Sequence, residues 1–155
     1  MKNQAGNAAS AKSGSPPELI QNMVKNFSKL ERRQRHFMKG ALKSCGISGN
    51  MYRFILTVRR HPGASQDFLA EFHSVDKSRV TRVVRELEKK GYLSRSANEN
   101  DRRSYRLFLT KEGEKLSETI RKTLMEWGTI ISRNIGAKDI TLTVDTIEKM
   151  ITNAG

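Results

Sequence analysis

The chain has 155 residues, of which 36% are apolar and 29% charged, enough for one compact core and too few for two independently folded domains. Twenty-nine Lys and Arg against sixteen Asp and Glu leave a net charge of +13, the balance of a protein that meets a polyanion. A ribosomal protein, a basic membrane-surface protein and a DNA-binding regulator all satisfy that arithmetic.

Residues 1–17, rich in Ala, Ser, Gly, Asn and Lys and ending in Pro16-Pro17, offer too few apolar side chains to offset the entropy of ordering them and are expected to form a disordered tail. From Glu18 to Leu42, Ile20, Val24, Phe27, Leu30, Phe37, Met38 and Leu42 recur at helical spacing around the basic cluster Arg32, Arg33 and Arg35. This predicts a long first helix ending near Cys45-Gly46. Ser48 is placed to cap a second helix carrying Met51, Phe54, Ile55 and Val58, which His61-Pro62-Gly63 stops. Ser65 then caps a two-turn helix with Phe68, Leu69 and Phe72, and a tight connection leads to Asp76, the cap of a helix over Lys77–Lys90 that Gly91 closes.

Two strands follow, Tyr92–Ser96 and Ser104–Leu109, the second alternating Tyr105, Leu107 and Leu109 with Ser104, Arg106 and Phe108 across the polar turn 97–101. Thr110 caps a helix with Glu112 and Glu114 in its first turn and a stripe of Leu116, Ile120, Leu124, Trp127 and Ile131; a last helix carries Ile140, Val144, Ile147 and Ile151. The expected fold is therefore mostly α with a small β-hairpin wing (α+β). Two short helices, a tight turn and a two-stranded ribbon describe a winged helix-turn-helix whose second short helix enters the major groove.

That helix has the required division. Val80, Val83, Val84 and Leu87 form a core-facing stripe, while Ser78, Arg82, Arg85 and Lys89 occupy the opposite face, flanked by Lys77 and Thr81. Arg82 can pair bidentately with a guanine, Ser78 or Thr81 can meet a base or a phosphate, and Arg85, Lys89 and Lys90 suit phosphates. At the ribbon tip Asp101, Arg102 and Arg103, with Arg95 on the approaching strand, suit a narrow minor groove, the carboxylate holding an arginine in place. Residues 1–46 carry nine basic and two acidic groups, residues 47–106 thirteen and seven, and residues 107–155 seven of each. The basic excess thus lies with the tail, the first helix and the reader, and the neutral, apolar-striped carboxy-terminal pair suits contact with another protein chain.

Other chemistries find little material. No stretch approaches the roughly 20 apolar residues of a membrane span, and Met1–Pro17 contains Lys2 but no apolar segment behind it, so a cytoplasmic protein with no membrane partner is expected. The single Cys45 forms no internal disulfide, and His36, His61 and His73 stand at no metal-ligand spacing, so no metal or cofactor is expected. No acid/base pair, activated nucleophile or phosphate-cradling glycine loop is present, so no enzyme is expected.

The stretches Phe68-Leu69-Ala70, Val75–Arg82, Leu87–Arg95, Asp101-Arg102-Arg103 and Leu109–Gly113 follow in order and spacing over about 45 residues. In this the chain resembles the MarR (multiple antibiotic resistance regulator) transcription factors. The resemblance implies a homodimer whose first and last two helices intertwine, with one winged helix-turn-helix per subunit reading half of an inverted repeat in double-stranded DNA, and repression relieved by a small aromatic or phenolic ligand. It implies an HTH MarR-type domain over 18–153, with dimerisation helices at 18–45 and 110–153, the winged unit at 46–109, its helix-turn-helix at 65–90 and its wing at 92–109. It places Lys77, Ser78, Arg79, Thr81, Arg82, Arg85 and Lys89 on the recognition helix, with Ser78, Thr81 and Arg82 nearest the bases. Arg103 falls in the minor groove, oriented by Asp101, with Arg102 beside it and Arg95 in the same ion-pair network. An effector pocket would draw on Arg32, Arg35, His36, Tyr52 and Arg53. Two alternatives stand beside this one: a thiol-based sensor working through Cys45, and a non-specific basic nucleic-acid-binding protein.

Overall fold

In a computed structural model, residues 14–47, 49–97 and 105–155 are described. The described residues fall into two compact units, 14–34 and 35–155. The elements are α1 (Pro16–Ala41), α2 (Met51–Arg60), α3 (Gln66–Phe72), α4 (Lys77–Lys89), β1 (Leu93–Ala97), β2 (Tyr105–Leu109), α5 (Lys111–Ile131) and α6 (Ala137–Asn153).

The first unit is the leading part of α1, which starts at Pro16 rather than after Pro17. Proline is tolerated in a first turn because the missing N–H would have no helical partner there. The Ser15 amide donates to Glu18 Oε2 at 3.0 Å, one half of a capping box. Within this unit Leu19, Ile20, Val24, Phe27 and Leu30 are all exposed.

The second unit is built on one core. Met38, Leu42, Ile47, Met51, Phe54, Ile55 and Val58 are buried together with Leu69 of α3, Val80, Val84 and Leu87 of α4, Leu93 and Leu107 of the ribbon, and Leu116 and Ile120 of α5. Each such side chain contributes about 1.5–3 kcal/mol of burial. A 3-10 turn over Lys43–Cys45 and Gly46 at φ 66° end the first helical segment, as the Cys45-Gly46 reading expects. Asn50 rather than Ser48 is the residue before α2, and its side chain makes no capping bond; Ser48 itself lies outside the described residues. The caps Ser65 and Asp76 are as expected, accepting from the Phe68 and Arg79 amides. Helix α4 ends on Gly91 at φ 75°, with the Tyr92 amide donating to the Leu87 carbonyl at 2.9 Å.

The ribbon is antiparallel, pairing Leu93 with Leu109, Arg95 with Leu107 and Ala97 with Tyr105. Leu93, Arg95 and Ala97 therefore share the face that looks into the domain, opposite Leu107 and Tyr105. The other edge of β2 is also engaged: Gly63 donates to the Leu107 carbonyl at 2.9 Å and Leu107 donates to the Ala64 carbonyl at 3.0 Å, forming a bridge between Ala64 and Leu107. The α5 stripe is split. Leu116 and Ile120 are buried, whereas Ile131 is exposed, because only the first half of the helix lies on the core. None of α6 is buried; Ile140, Val144, Ile147 and Ile151 are exposed. Among the described residues no helix is long and apolar enough to cross a membrane.

Helix α5 is fastened to the base of the ribbon at one point. Thr110 caps it by accepting from the Gly113 amide at 3.0 Å, donates its hydroxyl to the Gly91 carbonyl, and sends its own amide to the Tyr92 carbonyl at 3.1 Å. A Cβ on Gly113 would stand 2.1 Å from that same Tyr92 oxygen. Gly113→Ala is therefore expected to lose about 1–3 kcal/mol through overpacking, read as a lower urea midpoint with an unchanged slope; an unchanged midpoint would show that the backbone contact yields freely.

Candidate nucleic-acid interface

Helix α4 forms because Asp76 satisfies its first turn and because the Val80, Val84 and Leu87 face finds the core. Asp76 Oδ1 accepts the Ser78 hydroxyl and, at 2.7 Å, the Arg79 amide. The Ser78 hydroxyl, then the Arg79 amide, hold the Asp76 carboxyl below its ordinary 3.8, with a smaller contribution from the nearby Arg82 guanidinium. The face turned away from the core presents Ser78, Arg79, Arg82, Arg85 and Lys89, all exposed.

Two members of the expected set are already engaged within the domain. Thr81 is half-buried and donates to Gln66 Oε1 of α3 at 3.0 Å, and Lys77 Nζ lies 2.9 Å from Asp67 Oδ1. The first turn of α3 is thus clasped to the start of α4 by an amide and an ion pair. Neither Gln66 nor Asp67 was among the residues expected at the site. The available signal was their place just after the Ser65 cap, which a helix-turn-helix brings against the recognition helix.

Arg95, expected in one ion-pair network with Asp101 and Arg103, lies on the inward face of β1 and turns to α4, where Nη2 meets Glu88 Oε2 at 2.5 Å. Its guanidinium also lies 5.5 Å from the centre of the Tyr105 ring, within cation–π range. Arg106, on the opposite face of β2 and exposed, was not among the expected site residues; the strand alternation was its signal. Asp101, Arg102 and Arg103 lie outside the described residues.

The expected effector residues belong to α1 and α2. Tyr52 is buried in the core, and Arg53 lies close enough to His73 to lower that imidazole's pKa, second to the effect of burial. Arg32, Arg35 and His36 are exposed on α1. His73 Nε2 sits 3.0 Å from Thr57 Oγ1 and its ring centre 4.4 Å from that of Phe54. Cys45 is half-buried against the core, its carbonyl accepting the Tyr92 hydroxyl at 2.9 Å. A cleft of about 380 Å³ opens between the start of α2 and α4. Met51, Phe54 and Val83 supply its apolar wall and Arg79, Arg82, Glu86 and Asn50 its polar one, with Asn50 Oδ1 buried and unpartnered.

The depressed Asp76 pKa has a stability consequence. A carboxylate whose folded pKa lies below its unfolded value stabilises the fold above the unfolded value, and that contribution disappears as pH falls through the folded one. Urea titrations of the wild type and Asp76→Ala are expected to differ at pH 7 and to converge as pH falls below 3.8; a difference that persists undiminished at low pH would contradict this account.

The family model described as MarR family matches residues 47–105. The chain is 25% identical over 115 residues to the HTH-type transcriptional regulator BilQ of Clostridioides difficile, covering 74% of this chain and 73% of that protein. In three dimensions it is similar to a MarR transcriptional regulator from Methanosarcina mazei Go1, with a TM-score of 0.82 and 29% identity over 86% of this chain and 96% of that one. It also shares the fold of a cysteine-to-serine mutant of MarR from E. coli complexed with operator DNA, with a TM-score of 0.74 and 19% identity over 89% and 99% of the two chains. Together with the capped, two-faced α4 and the ribbon behind it, these matches make residues 47–105 a MarR-type, DNA-binding winged helix-turn-helix and the chain similar to the MarR-family transcriptional regulators, a family that is not enzymatic.

Proposed function

We propose that this regulator works in the cytoplasm as a homodimeric repressor that reads an inverted repeat, one half-site per subunit, and leaves DNA when a small aromatic or phenolic ligand binds. The observation that carries the reading is the exposed cationic face of α4, held in place from behind by Val80, Val84 and Leu87. In this reading Arg82 meets a base edge, with Ser78 beside it and Thr81 backing the contact through Gln66. Arg79, Arg85 and Lys89 meet phosphates, and Arg103, oriented by Asp101 and next to Arg102, enters the minor groove.

The dimer is supported by apolar side chains left exposed among the described residues. Leu19, Ile20, Val24, Phe27 and Leu30 on α1 are exposed, as are Ile140, Val144, Ile147 and Ile151 on α6. Helices so striped need a partner surface. Segments 18–45 and 110–153 would then join two subunits around the winged units at 46–109. The release step is supported by the cleft beside α4, whose apolar wall and two arginines suit an aromatic anion. A ligand seated there would engage Arg79 and Arg82, two of the groups that DNA needs.

Selection from random duplex DNA at about 150 mM salt is expected to enrich an inverted repeat with half-sites about 10 base pairs apart. Arg82→Ala should cost about 1–3 kcal/mol on that sequence and relax preference at one position, while Lys89→Ala should weaken all sequences alike and reduce the salt slope by about 1. No enrichment, with steep salt dependence alone, would favour a non-specific basic protein. Ile147→Asp is expected to shift sedimentation toward the monomer; a wild-type chain that sediments as a monomer at micromolar concentration would overturn the dimer.

A further inference from the structure

Beyond Leu93 and Leu107, which are buried, the ribbon leaves the core, and a two-stranded ribbon on its own is marginally stable in water. Its base is held by main-chain bonds, from Tyr92 to Leu87 and between Leu107 and Ala64. The next inward-facing side chains are Arg95 and its diagonal neighbour Tyr105; Arg95 reaches α4 at the Glu88 carboxylate, and its guanidinium lies against the Tyr105 ring. Arg95 and Glu88 are mostly shielded, at 27% and 24% side-chain exposure, whereas Lys89 beside Glu88 is exposed. A carboxylate on a helix that approaches phosphates opposes binding through space, so its presence calls for a compensating role.

We infer that Glu88 is a positioning residue of the DNA reader: by holding Arg95 under the Tyr105 ring it fixes the angle of the wing on the recognition helix, and so couples reading in the two grooves. The inference rests on the proposed DNA-reading role of α4 and the wing. It assigns Arg95 to the support of the wing rather than to DNA.

The isosteric change Glu88→Gln separates this role from simple electrostatics, because the two predict opposite signs. Removing one negative charge near phosphates should tighten binding; loosening the wing should weaken binding to the selected operator. The expected result is an operator Kd raised about tenfold, with affinity for random duplex unchanged or tighter. Faster hydrogen exchange is expected at the amides of residues 95–97 and 105–106, with the Val84 and Ile120 amides unchanged. The reversed pair Glu88→Arg with Arg95→Glu should restore most of the operator affinity. Operator binding by Glu88→Gln that is unchanged or tighter, or ribbon exchange that is unchanged, overturns the inference. If the wild-type chain selects no preferred sequence, the proposed function has failed, and the exchange measurement alone decides whether Glu88 holds the wing.

Discussion

The Tyr92 carbonyl is the point on which the reader's geometry depends. It accepts the Thr110 amide while Gly113 packs against it so closely that no Cβ fits. One residue earlier, Gly91 turns the chain out of α4 at a positive φ, and its carbonyl accepts the Thr110 hydroxyl. The end of the recognition helix, the root of the wing and the start of α5 therefore meet within a few residues, each satisfying backbone groups that a helix end would otherwise leave unpaired.

From that junction outward, the domain divides its charges by task. Arg59 is turned to Glu118, Glu114 and the buried Ser117, tying α2 to α5, and the Arg59 hydrogen bond leads the causes that hold Glu118 below the usual carboxylate range. Lys77 goes to Asp67 and Arg95 to Glu88. Arg79, Arg82, Arg85, Lys89 and Arg106 are exposed. A net charge of +13 is thus a poor guide to the number of cations facing DNA; several of the best-placed ones are structural. Exposed pairs such as Lys77 with Asp67 add little stability, yet they orient the two helices of the reader.

Burial follows the same logic at larger scale. The α4 stripe and the first half of the α5 stripe have partners in the second unit, whereas the α6 stripe has none there. Apolar faces at helical spacing look alike in sequence whichever surface eventually covers them. The α4 stripe thus shares one core with the end of α1 and the start of α5, while the α6 stripe is exposed among the described residues.

Sequence by itself determined what depends on neighbours a few residues away. The order of helices, the caps at Ser65, Asp76 and Thr110, the stop at Gly91 and the two-faced character of α4 all follow from bonds or side-chain spacings within one or two turns. The start of α1 at Pro16 and the capless Asn50 departed from that reading, since prolines fit a first turn and a loop's exact entry into a helix is set by packing. Only the tertiary structure decided where shared or long side chains went. Arg95 turned to Glu88 because strand register placed it on the inner face. Thr81 turned to Gln66 fifteen residues earlier, Ala64 became a third edge to the ribbon, and Tyr52 entered the core. Each outcome joins groups distant along the chain, and a flexible arginine or a hydroxyl has several partners of comparable energy until packing removes all but one.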